Sequence, residues 1–234
     1  MKPTVAPITR VNDLVVKFAN VNGSGSASAN ELFAKSFLRM GIPVSPRNIF
    51  PSNIQGLPTW YEVRVTEKGH LGRRGGVDLM VAMNPQTWDQ DLKEIDPGGY
   101  LFYDNTRPLP RSRFRDDIQV IGMPLTEICN ATYTDSRERQ LFKNILYVGA
   151  LAGLMGIEPE VIAELIGEQY KGKEKLLKPN LNAFKMGLDH ARNHLKDAMG
   201  LKTRRAYAVG DLGSPRSDPK LAEGGQDRGE VCLR

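Results

Sequence analysis

The sequence predicts an α/β fold: an open sheet of about five or six strands flanked by helices, with a helical C-terminal cap. Three observations carry that expectation. Asp13–Val21 is rich in β-branched and apolar residues. A small-residue turn follows at Gly23–Ser28, and then Leu32, Phe33, Phe37 and Met40 recur at helical spacing up to Gly41. Strand, glycine-rich turn and helix in that order open a βαβ unit. Val77–Met83 is almost continuously apolar, as in a strand covered on both faces. Beyond about residue 137 the pattern turns wholly helical. Together these make the fold Rossmann-like.

The remaining elements follow in order. Ile42–Val44 begins a second extended segment, and Asn53–Pro58 reads as a loop. Trp60–Val65 alternates Tyr61, Val63 and Val65 against Glu62 and Arg64, which predicts a half-buried strand. Pro85 starts a helix to about Ile95, Pro97-Gly98-Gly99 reads as a turn, and Tyr100–Tyr103 and Ile118–Ile121 read as strands. Helices are expected at Arg137–Met155, Pro159–Ile166 and Asn180–Leu195. The reading divides the chain into an α/β domain, residues 1–198, and a Gly/Ser/Pro-rich flexible tail, residues 199–234.

Composition narrows the function classes. Of 234 residues, 40% are hydrophobic and 25% charged, which is ordinary for a soluble globular protein. The net charge of +5 is spread thinly, without the basic stripe of a nucleic-acid binder. The two cysteines, Cys129 and Cys232, cannot build a disulfide framework, and their scarcity suits a reducing cytoplasm. Nor can two thiolates ligate a four-cysteine iron–sulfur cluster. No signal peptide is apparent in Met1–Val11, and the most apolar run, Ile145–Ile157, is too short to span a bilayer.

The first site candidate is the turn Gly23-Ser24-Gly25-Ser26. Small residues let a backbone approach a ligand closely, and the helix start that follows favours a phosphate. A dinucleotide fingerprint would add a third glycine and a later acidic residue. The chain offers small residues and Arg47 instead, which argues against NAD. A purely structural tight turn is the competing reading. Gly167–Glu174 imitates a Walker A loop but lacks the final Ser/Thr and follows a helix, so it is set aside. His190 and His194 stand i, i+4 on a helix without a third ligand nearby, which reads as a solvated face rather than a zinc site.

Several segments in order resemble one family. They are Val21–Asn30, Pro51–Val65 with its Asn53-Ile54-Gln55-Gly56-Leu57-Pro58-Thr59 core, Val77–Asn84, Asn144–Ala152 and Asn180–Phe184. They resemble the γ domain of 2-oxoacid:ferredoxin oxidoreductases, and are most similar to the N-terminal part of the α subunit of 2-oxoglutarate-type enzymes. The resemblance covers about residues 12–195.

The resemblance implies a component of a complex that decarboxylates a 2-oxoacid oxidatively with coenzyme A, giving acyl-CoA, CO₂ and reduced ferredoxin. It implies coenzyme A contact by Gly23, Ser24, Gly25 and Ser26, with Asn53, Gln55, Gly56, Pro58 and Thr59 facing the active-site cleft. The expected partners are a pyrimidine-binding α region and a thiamine-binding β subunit, with ferredoxin reached indirectly, and neither nucleic acid nor membrane. Thiamine diphosphate, Mg²⁺ and iron–sulfur clusters are expected on partner domains. No thiamine motif of Gly-Asp-Gly type occurs here, and the Gly-Asn-x-Ala and Tyr-Pro-Ile-Thr-Pro segments of the fused relatives are missing. The chain is therefore expected to be inactive alone, as a separate γ subunit or part of a longer α subunit. The alternatives are an assembly module of the same fold and a stand-alone nucleotide-dependent oxidoreductase.

Overall fold

The computed structural model describes residues 3–51, 54–70 and 72–206. In chain order the elements are β1 (Arg10–Val11), β2 (Asp13–Val21), α1 (Ser26–Arg39), β3 (Val44–Ile49), β4 (Pro58–Thr66), β5 (Val77–Ala82), α2 (Trp88–Glu94), β6 (Ile95–Asp104), β7 (Gln119–Met123), α3 (Leu125–Thr132), α4 (Ser136–Met155), α5 (Pro159–Gln169), α6 (Glu174–His194) and β8 (Leu201–Lys202). Six strands form one sheet in the order β3-β4-β2-β5-β6-β7. β2, β5, β6 and β7 run parallel, while β4 lies antiparallel between β2 and β3. The opening unit is thus a split one, with β4 inserted between the two strands that α1 connects.

Alternation along β2 assigns its faces. Leu14, Val16 and Phe18 join the larger core under α1, α4, α5 and α6, whereas Val15 and Ala19 join a smaller one with Trp88 and Leu92 of α2. Phe18 is fully buried, its ring edge-on to Phe33 at 5.1 Å and 5.9 Å from Tyr147. Burial of each such side chain stabilises the fold by about 1.5–3 kcal/mol.

β4 is covered on both faces rather than half-buried. Glu62 and Arg64 are only 6% and 8% exposed. Arg73 reaches over to bond Glu62 at 3.2 Å, and Arg64 donates to the Val65 carbonyl at 2.9 Å. Charged side chains can occupy an alternation's polar positions and still be buried, provided the partners fold back over them.

The C-terminal cap is built on α4. Asp135 caps its N-terminus, accepting from the Arg137 and Glu138 amides at 2.9 Å each. Gly156 ends it at φ +74°, with the Ile157 amide bonded to the Ala152 carbonyl. α6 begins six residues before the expected Asn180 and runs through Pro179, whose missing amide removes one hydrogen bond from the ladder. Two glycines let α4 and α6 touch: a Cβ on Gly149 would lie 2.1 Å from the Phe184 carbonyl oxygen, and one on Gly187 2.0 Å from that of Leu146.

The described body continues past residue 198. Met199 and Leu201 are 2% and 0% exposed, and β8 pairs in parallel with β1. The Tyr100 hydroxyl donates to the Ile8 carbonyl at 2.9 Å and accepts from the Gly200 amide at 2.8 Å. Asn12, at φ +52°, holds Arg204 through both its amide atoms at 2.8 and 2.9 Å. Residues 199–206 of the expected tail therefore belong to the packed body, and residues 207–234 lie outside the described residues. Among the described residues no helix is long and apolar enough to cross a membrane.

Candidate functional site

The Gly/Ser turn lies at the carboxyl end of β2, where ligands bind in open sheets of this kind. Its shape follows from two glycines in left-handed conformation, Gly23 at φ +84° and Gly25 at φ +77°. Gly25 occupies the N-cap of α1 and brings no capping side chain, and the first turn of the helix contains no acidic residue. The leading amides of α1 are thus left without an intrahelical or side-chain acceptor, and the helix dipole adds positive potential there. Ser24 donates its hydroxyl to Ser26 Oγ at 3.1 Å, and Ser26 is buried while Ala27 and Ser28 are exposed.

The β3–β4 loop comes up beside this turn. Pairing of β2 with β4 runs out to Asn20↔Thr59 and Val21↔Pro58. Beyond it, the Asn22 amide donates to the Leu57 carbonyl at 2.8 Å and the Gly56 amide to the Asn22 carbonyl at 2.9 Å. A Cβ on Gly23 would sit 2.7 Å from Gln55 Cγ, so the Gln55 side chain rests on the glycine. Gly23, Ser24, Gly25, Ser26, Gln55, Gly56, Pro58 and Thr59 are thereby brought into one neighbourhood, though Thr59 is buried within β4. Asn53 lies outside the described residues.

A buried polar network supports the turn from below, and the sequence reading did not single it out. Asn144 on α4 donates to the Ser24 carbonyl at 2.9 Å. Asn30 on α1 donates to Asn20 Oδ1 at 3.0 Å and accepts from the Tyr147 hydroxyl at 2.7 Å. Burial raises the Tyr147 phenol well above its ordinary range, so it remains a hydroxyl donor. The available signal was Asn144 standing directly before the apolar run Ile145–Ile157.

A second cluster sits at the carboxyl end of β6. Asp104 accepts from the Thr106 amide and hydroxyl at 3.2 and 2.7 Å, and from the Thr126 amide at 3.2 Å and hydroxyl. Burial pushes its carboxyl up, but these hydrogen bonds outweigh it and leave the group below the ordinary carboxylate value. Cys129, close by on α3, is pushed up to about 11 by burial and stays a thiol.

The other candidates separate from the turn. Arg47 lies on edge strand β3, and β4 intervenes between that strand and β2. An acidic residue there would therefore stand one strand further from the turn than in a dinucleotide fold. The Walker-like residues run from the end of α5 to the start of α6. The His190 and His194 rings lie 4.7 Å apart, and no group of three His, Cys, Asp or Glu among the described residues could hold a metal ion.

Sheet order, helices on both faces and a glycine turn at a strand's carboxyl end define a Rossmann-like α/β fold, shared with solved oxidoreductase chains. Residues 15–190 match the pyruvate ferredoxin/flavodoxin oxidoreductase family, and the chain belongs to that family. It is 24% identical over 217 residues to 2-oxoacid:ferredoxin oxidoreductase 2, subunit alpha, of Aeropyrum pernix, a match spanning 77% of this chain and 34% of that one. It is 24% identical over 185 residues to the 2-oxoglutarate synthase subunit KorC of Archaeoglobus fulgidus, covering 77% of this chain and 89% of that subunit. Among solved structures, the 2-oxoglutarate:ferredoxin oxidoreductase of Magnetococcus marinus, with 2-oxoglutarate, coenzyme A and succinyl-CoA bound, superposes with a TM-score of 0.73 at 23% identity. That alignment covers 83% of this chain and 33% of the other. The chain thus corresponds to about a third of these larger relatives and to most of a separate small subunit.

Proposed function

We propose that this chain is the γ component of a 2-oxoacid:ferredoxin oxidoreductase of 2-oxoglutarate type, contributing a coenzyme A contact and subunit contacts while partner chains carry the redox chemistry. The observation that carries this reading is the juxtaposition of the Gly23–Ser26 turn, the open N-terminus of α1 and the Gln55–Pro58 loop at one end of the sheet. Coenzyme A is rich in phosphate, and unpaired helix-start amides beside small residues suit a phosphate. Gln55 and Gly56, exposed beside the turn, then face the thioester end of the cofactor.

On this reading thiamine diphosphate, Mg²⁺ and iron–sulfur clusters sit on the pyrimidine-binding α region, the thiamine-binding β subunit and their electron-carrying partners. Ala27→Asp tests the coenzyme A contact. A carboxylate in the first turn of α1 favours the helix, so the fold is retained, but it opposes an incoming phosphate. In the assembled complex the KM for coenzyme A should rise about tenfold, an effect near 1.4 kcal/mol, with that for the 2-oxoacid unchanged. An unaltered KM for coenzyme A would remove the phosphate contact from this turn.

A further inference from the structure

A second cleft opens at the carboxyl ends of β5 and β6, between the Trp88 side of the sheet and the starts of α3 and α4. It measures about 380 Å³. One wall is apolar and rigid: the Trp88 and Tyr103 rings stand edge to face at 5.6 Å, with Met83 and Leu109 beside them. The other wall is cationic. Lys143 reaches in from α4 with a side chain only 22% exposed, yet its nearest acceptors are Thr126 Oγ1 at 3.5 Å and Asp104 Oδ2 at 3.9 Å. Arg107 stands exposed at the rim and joins no ion pair among the described residues.

The carboxylate in this cleft meets Lys143 only at a long ion-pair distance, 3.9 Å. Asp104 already receives four donors from Thr106 and Thr126, filling the acceptor positions a carboxylate offers. The amide of Glu127, the next in α3, is taken by Thr106 Oγ1 at 3.0 Å. Asp104 and the two threonines thus close the start of α3 and leave Lys143 with long contacts alone. A half-buried ammonium whose acceptors stand at 3.5 and 3.9 Å has room for a closer one, which a ligand anion would supply.

We infer that this cleft binds an organic anion, a carboxylate or phosphate head joined to a flat apolar body, with Lys143 and Arg107 gripping the head and Trp88, Tyr103 and Leu109 enclosing the body. The inference goes beyond the Gly/Ser turn and uses none of its residues. Both halves of the ligand are required: the cations alone are reachable by water, and an apolar pocket of this size holds a ring best when a polar group orients it.

The test is a calorimetric and ¹⁵N-NMR titration of the full chain with four probes: phenylacetate, phenyl phosphate, inorganic phosphate and benzyl alcohol. Saturable binding of either phenyl anion is expected, with shifts at the Thr106, Thr126 and Lys143 amides and quenching of Trp88 fluorescence. The affinity of inorganic phosphate and of benzyl alcohol should be at least about tenfold weaker, the worth of one charge-assisted contact or of a ring's burial. A preference between the phenyl anions identifies the head as carboxylate or phosphate. Lys143→Gln should weaken binding about tenfold while leaving the melting temperature and the Asp104–Thr126 shifts in place. Absence of saturable binding, indifference to Lys143→Gln, or shifts confined to residues 23–28 would overturn the inference.

Discussion

Gly25 holds φ +77° at the start of α1, and a Cβ placed there would meet Leu141 Cδ2 at 2.4 Å. The methyl can swing aside, so the main cost of Gly25→Ala is the left-handed backbone, about 1–2 kcal/mol. Urea unfolding should show that loss with an unchanged m-value. Asn144→Ala should remove the bond to the Ser24 carbonyl and lower stability by about 1 kcal/mol, with faster amide exchange confined to the turn. Asp104 makes a pH-dependent contribution. Its folded pKa lies below its unfolded value, so its stabilisation is complete above the ordinary carboxylate range and lost as pH falls through the folded value. Asp104→Asn should therefore cost roughly 1–2 kcal/mol at neutral pH, and the gap to the native protein should close in acid. The turn itself was legible in the sequence because small residues announce a close approach locally. Asn144 and Asp104 were not, because their roles depend on partners 120 and 22 residues away.

At the scale of elements, periodicity identified the strands and long helices, but not where they stop or which way they run. Trp60–Val65 reads as an alternating strand from its own residues, yet nothing local says that it will insert antiparallel between β2 and β3. That placement is a sheet-level outcome, favoured because the short loop after β3 brings β4 back as an antiparallel neighbour. α3 escaped notice because eight residues between Pro124 and Tyr133 hold too few turns to display a period. The α4–α6 contact depends on two glycines that the sequence presents only as weak helix formers. Gly149→Ala should improve helix propensity yet destabilise the protein by about 1–3 kcal/mol, since its Cβ would strike the Phe184 carbonyl. A thermal melt of Gly149→Ala beside Gly167→Ala, where a Cβ meets nothing within 4 Å, separates the two effects: only the first should lower the midpoint.

Across the whole molecule, the two ends of the described chain close on each other. β1 with β8, Tyr100 with Ile8 and Gly200, and Asn12 with Arg204 tie residues 8–12 to 200–204. The carboxyl end of the sheet carries both the Gly/Ser turn and the Lys143 cleft. The chain belongs to the oxidoreductase family and spans about a third of its larger relatives, and the proposed γ assignment has it work in an assembly. The most direct measurement is reconstitution. This chain is combined with a pyrimidine-binding α region and a thiamine-binding β subunit, the complex is isolated, and coenzyme A-dependent dye reduction is followed with 2-oxoglutarate. The account predicts a stable complex whose activity requires this chain. Full activity without it, or no association at all, would contradict its assignment as the γ component.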